Sequence, residues 1–119
     1  MAKPVHSNIR VLDEQRSIAF YQQAFDLDLL DRVTFDDFTL LFLRNRESEF
    51  ELELTINHGR SEPYTHGTGY GHLAVSVDNL EKKHEKCTRL GLNPTPVKEL
   101  YTNGQLAVRF FFCAGSRWL

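Results

Sequence analysis

The stretch over residues 70–79, YGHLAVSVDN, constrains the fold of this chain more than any other. Strand periodicity puts His72, Ala74 and Ser76 on one face and Leu73, Val75 and Val77 on the other, and Asp78-Asn79 then opens a charged helical segment. The N-terminus repeats the design. In VHSNIRV, His6, Asn8 and Arg10 share one face, Val5, Ile9 and Val11 share the other, and Asp13 opens a helix. An apolar strand face that packs under a helix, with a histidine on the opposite face, occurs twice. That points to a duplicated module built around a shared site.

In the first half, Ile18, Tyr21 and Phe25 recur at helical spacing after Asp13. Residues 27–35 read as extended, Asp36-Asp37 as a tight turn, and residues 38–43 as a strand. After the polar loop 44–49, Phe50, Leu52, Leu54 and Ile56 alternate with Glu51, Glu53, Thr55 and Asn57 in a second strong strand. Residues 58–69, rich in Gly, Ser, Pro and Thr, read as a linker. The second half repeats the order: a strand at 70–77, a helix at 79–90 ended by Gly91, an extended stretch at 92–98, and a turn at Asn103-Gly104 leading into a strand at 105–113. The expected organisation is one domain over 1–119. Module one covers about 4–58, a linker about 59–69, and an incomplete module two about 70–119.

A length of 119 residues suits a single domain with a real core, and 41% hydrophobic and 25% charged residues are ordinary for a globular chain. A net charge of −2 gives no reason to expect nucleic acid or an anionic membrane as partner. No apolar run approaches the ~20 residues of a membrane span, and MAKP leads into the first strand without a signal-peptide core. The two cysteines, Cys87 and Cys113, make neither a disulfide framework nor a cysteine-type zinc site. The expected setting is the cytoplasm.

The chemistry sits on polar strand faces, which carry His6, Arg10, Glu53, Asn57 and His72. If the sheet curls, these faces converge. Two imidazoles and a carboxylate suit a borderline divalent ion such as Zn, Ni, Co or Fe. The bland alternative is a set of solvated strand residues, since the groups are far apart in sequence and match no local motif.

HSNIRVLDEQRSIAFY, ELTINHG and GYGHLAVSVDN together resemble the lactoylglutathione lyases, the glyoxalase I enzymes of the vicinal oxygen chelate superfamily, in order from about residue 5 to about residue 112. The resemblance implies an α+β fold of two βαβββ modules. It implies a homodimer with active sites at the subunit interface and one divalent metal ion per site, held by two His and two Glu. By position, His6, Glu53 and His72 match metal ligands, and Arg10 and Asn57 match residues that hold the glutathione part of the substrate. Nickel or cobalt is favoured by the short chain, with zinc as an alternative. The implied reaction is isomerisation of the methylglyoxal–glutathione hemithioacetal to S-lactoylglutathione through a metal-bound enediolate. Glu53 is the catalytic base that remains, and the activity serves methylglyoxal detoxification.

The pattern breaks at the C-terminus. The His6–Glu53 spacing carried to His72 lands on Leu119, and no acidic residue follows Glu99. The fourth ligand, which is also a proton-transferring base, is therefore missing, and the second module lacks its last strand. The tail CAGSRWL is compatible with a one-base shift from a frame encoding a DPDGY-like turn. This chain is accordingly expected to hold metal through three protein ligands and to turn over weakly.

Two rival readings use the same scaffold: a non-haem iron dioxygenase, and a non-catalytic ligand-binding protein. Among the remaining residues, His84 belongs at a core edge on the second helix, and His58 and His66 fall in the solvated linker. Lys98 lies in a loop, Arg109 is a weaker candidate for anion contact, and both cysteines are inert.

Overall fold

The computed structural model describes residues 1–114. Two compact units divide the chain, Met1–Gly71 and His72–Gly115.

The first unit contains β1 (His6–Arg10), α1 (Glu14–Phe25), β2 (Asp28–Thr34), β3 (Phe38–Arg44) and β4 (Glu51–Asn57). The strand order is β1-β4-β3-β2, with β1 parallel to β4 and the other pairs antiparallel. This is one complete βαβββ module. Alternation in β3 and β4 sends Leu41, Leu43, Leu52 and Leu54 to one face, where they join Val11 in a core that Ile9, Ile18 and Tyr21 flank. The Asp13 carboxylate caps α1 by accepting the Arg16 N–H at 3.0 Å, and the helix ends at Asp26 in a left-handed conformation with φ 57°. The helix stripe differs from the periodicity reading. Its deepest residues are Ser17, Phe20 and Ala24, and Ile18, Tyr21 and Phe25 lie at the margins, because the buried arc of α1 is wider than one row.

The second unit contains α2 (Leu80–Arg89), β5 (Lys98–Thr102) and β6 (Gln105–Phe110), the strands pairing antiparallel. The Asn79 side chain caps α2 by accepting the Lys82 N–H at 3.0 Å. Asn103 (φ 53°) and Gly104 (φ 75°) form the two-residue loop, and two successive positive φ angles define the type I′ turn that Asn-Gly favours.

Several expectations need correction here. Residues 71–77 are not a strand among the described residues, because no other described strand pairs with them. Their alternation is real, but a ladder needs a second row of backbone groups. The extended stretch expected at 92–98 becomes a strand only from Lys98, so Lys98 begins β5 instead of lying in a loop. The last strand stops at Phe110, and α2 runs 80–89. The expected lack of a last strand in module two and the frame-shift reading of the tail 113–119 turn on residues 115–119, which lie outside the described residues. Among those described, no helix is long and apolar enough to cross a membrane.

Candidate metal and substrate site

The core packs against one face of the first unit's sheet, which leaves the other face open. Strand parity places His6, Asn8 and Arg10 of β1 and Glu51, Glu53, Thr55 and Asn57 of β4 on that open face. The register sets Asn8 directly opposite Glu53, with His6 one pair away on the diagonal.

Glu53 is the focus of the site. Its Oε2 lies 3.6 Å from His6 Nε2. Its Oε1 accepts an N–H from Asn8 Nδ2 at 2.6 Å, and the same nitrogen donates to Thr55 Oγ1 at 2.7 Å. Asn8 thus bridges the carboxylate and the Thr55 hydroxyl through its amide nitrogen, fixing one Glu53 oxygen while the other lies toward the imidazole. The Glu53 side chain is only 14% exposed and that of His6 42%, so the carboxylate is seated while the imidazole is reachable from solvent. Phe42, opposite Glu53 in β3, meets the His6 ring edge-to-face at 6.4 Å and gives the pair an apolar wall. Sequence reading placed Asn8 on this face but gave it no role. The role depends on the β1–β4 register, which no spacing within one strand reveals.

Arg10 lies exposed beyond Asn8, opposite Thr55. Asn57, at the end of β4, donates through Nδ2 to the Tyr64 hydroxyl at 2.9 Å. His6, Glu53, Arg10 and Asn57 are therefore brought to one sheet face. His72 belongs to the second unit, where its ring packs edge-to-face on Phe112 at 5.7 Å. Among the described residues, no three His, Cys, Asp or Glu side chains gather closely enough to hold an ion. The donor chemistry still fits half of a divalent-metal site: an imidazole and a carboxylate, both turned to the open face, with the carboxylate held by an amide. A groove of about 450 Å³ lies away from this face, lined by Leu12, Asp13, Glu14, Arg16, Arg60 and Ser61.

Other polar residues are engaged elsewhere. His58 is not a loose linker residue: its Nε2 is 2.9 Å from Thr39 Oγ1 and its Nδ1 is 3.0 Å from the Asp36 carbonyl. Arg109 is no free anion receptor. It pairs with Glu81 and lies 3.7 Å from Glu99, its cross-strand neighbour. These carboxylates raise the Arg109 pKa, chiefly through the Glu81 hydrogen bond, which in turn lowers that of Glu81. His84 fastens the second unit, with Nε2 2.9 Å from the Thr95 carbonyl. Burial, with Cys87 nearby, pushes the Cys113 thiol up to about 11.

Comparison with known proteins agrees with this architecture. The family model for the Glyoxalase/Bleomycin resistance protein/Dioxygenase superfamily matches residues 3–115. The chain is 40% identical to the lactoylglutathione lyase of Haemophilus influenzae, covering 79% of this chain and 75% of that one. It is 38% identical to the lactoylglutathione lyase of Escherichia coli O157:H7 over the same shares. Among solved structures, the trypanothione-dependent glyoxalase I of Leishmania major matches with a TM-score of 0.71 and 30% identity, over 87% of this chain and 75% of that one. A complete βαβββ module, a histidine–glutamate pair on its open face, and a family match over nearly the whole length lead to one statement: the chain belongs to the Glyoxalase/Bleomycin resistance protein/Dioxygenase superfamily.

Proposed function

We propose that this chain is a lactoylglutathione lyase, isomerising the methylglyoxal–glutathione hemithioacetal to S-lactoylglutathione in the cytoplasm. The observation that carries the reading is the His6–Glu53 pair at 3.6 Å, set on the same sheet face as Arg10 and Asn57. Relatives named lactoylglutathione lyase, with three-quarters of their length covered, support it.

His6 and Glu53, with His72 supplied by a second copy in a homodimer, would hold one divalent ion, nickel or cobalt in preference to zinc. When bound, the ion supplies Lewis acidity to the substrate's adjacent oxygens and so favours negative charge developing there. Glu53 takes the C1 proton and returns it to C2, so one carboxylate serves first as base and then as acid. Arg10 pairs with a glutathione carboxylate, and Asn57 meets the tripeptide backbone. Phe42 excludes water from the carboxylate side.

One alternative on the same fold is a protein that binds glutathione conjugates without converting them. The deciding experiment is lactoylglutathione formation by the purified chain loaded with nickel, cobalt or zinc, with metal content measured in parallel. Product formed by the parent chain and lost in Glu53→Gln supports the lyase. Bound metal and bound conjugate without product support the binding protein.

A further inference from the structure

Asn57 is not left to find its own orientation. Its Nδ2 donates to the Tyr64 hydroxyl at 2.9 Å, and the Tyr64 ring is itself fixed. The Arg60 guanidinium lies 3.9 Å from the ring centroid, and Arg60 is tied down by Nε to the Glu62 carbonyl at 2.8 Å and by Nη2 to the Pro63 carbonyl at 3.2 Å. A positive φ of 81° at Gly59 turns the chain back after β4, and the Arg60 N–H reaches the Asn57 carbonyl at 3.4 Å. On the other side of Asn57, His58 is bound to Thr39 and Asp36. The segment after β4 is thus a brace, built of a cation stacked on a phenol, that ends on one side-chain amide.

We propose that Tyr64, held by Arg60, is a positioning residue for substrate recognition through Asn57. By accepting one Asn57 N–H, the Tyr64 oxygen turns Asn57 Oδ1 into the exposed acceptor of the pair, and the phenol keeps its own O–H as a donor. Side by side, an acceptor and a donor complement the N–H and C=O of a peptide link. The brace therefore selects a peptide-bearing conjugate over a simple thiol adduct. This inference rests on the lyase reading above, in which Asn57 faces the tripeptide.

Tyr64→Phe tests it, because the ring and its Arg60 stack remain and only the hydroxyl is removed. S-methylglutathione is titrated calorimetrically into the metal-loaded full chain, and turnover and melting are measured beside it. Loss of one hydrogen-bonded recognition element weakens binding roughly fivefold to tenfold. KM rises in step, kcat stays within about twofold, and the melting temperature holds. Arg60→Gln, which frees the ring, gives a smaller loss in the same direction. Equal affinity in the parent and Tyr64→Phe, or a fall in kcat at constant KM, overturns the assignment. A parent chain that binds no thioether removes the lyase reading. The brace is then judged by the Asn57 side-chain amide resonances: a shift and faster exchange in Tyr64→Phe support it, and unchanged resonances overturn it.

Discussion

Asn8 and Glu53, directly opposite in the parallel β1–β4 ladder, are joined by a 2.6 Å amide-to-carboxylate hydrogen bond that leaves the second Glu53 oxygen facing His6. The carboxylate is oriented before any ligand arrives. Removing the amide in Asn8→Ala is expected to lower metal affinity by about 10- to 100-fold, read by competition with a chromogenic chelator. Glu53→Gln keeps the shape but cannot accept the proton, and its turnover should fall by about 10²- to 10⁴-fold. Metal affinity unchanged in both variants would sink the assignment of this pair.

Ser17 lies fully buried on α1 with a hydroxyl that has no hydrogen-bond partner. An orphaned buried hydroxyl costs stability, and serine is a weaker helix former than alanine. Ser17→Ala is therefore expected to stabilise the chain by up to about 1 kcal/mol, visible as a higher urea midpoint at constant slope. A lower midpoint would show that the hydroxyl has a partner in solution.

Burial raises the Tyr21 phenol to about 12. The folded state then holds its proton more tightly than the unfolded state, so the associated stability is complete below the ordinary tyrosine range and is lost as pH climbs through about 12. A near-ultraviolet titration should show a tyrosinate phase near pH 12 that Tyr21→Phe removes. A titration curve that Tyr21→Phe leaves unchanged near pH 12 would contradict the packing of α1.

Glu14 takes the Arg32 guanidinium on both oxygens, at 2.6 and 3.1 Å, and this hydrogen bonding holds its carboxyl below the usual range. A lowered folded value means a contribution present above the ordinary carboxylate range and lost as pH falls through the depressed one. Arg32→Gln should thus be less stable than the parent near neutrality and converge with it in acid. High salt should narrow the neutral difference, since Arg32 is half exposed. A pH-independent difference would assign the effect to packing.

The first module was legible because its signals are local and agree: the Asp13 cap, the alternation through β4, and a histidine at the start of β1. The Asn103-Gly104 turn was equally plain, since few sequences other than Asn-Gly accept two positive φ angles in succession. What escaped depends on partners distant in sequence. β5, KELYT, is short and polar, and only pairing with β6 makes it a strand. Residues 70–77 have the stronger pattern yet stay unpaired among the described residues. His58 follows loop composition but not loop behaviour, because the Asp36-Asp37 turn comes back to meet it. At the site, His6 and Glu53 could be named from sequence, whereas Asn8 and Tyr64 needed the register and the loop's return.

The parallel pairing of β1 with β4 also dictates an order of assembly. β2, β3 and β4 can zip as consecutive neighbours, but β1 has no backbone partner until the last strand of its module exists. Its closure spans the whole module, the contact with the greatest entropic cost and therefore a late one. During synthesis His6 leaves the ribosome first and waits for Glu53. The imidazole and the carboxylate meet only when the sheet is finished, so a metal ion seated between them would act as a latch on a completed fold and could not serve as the seed of one.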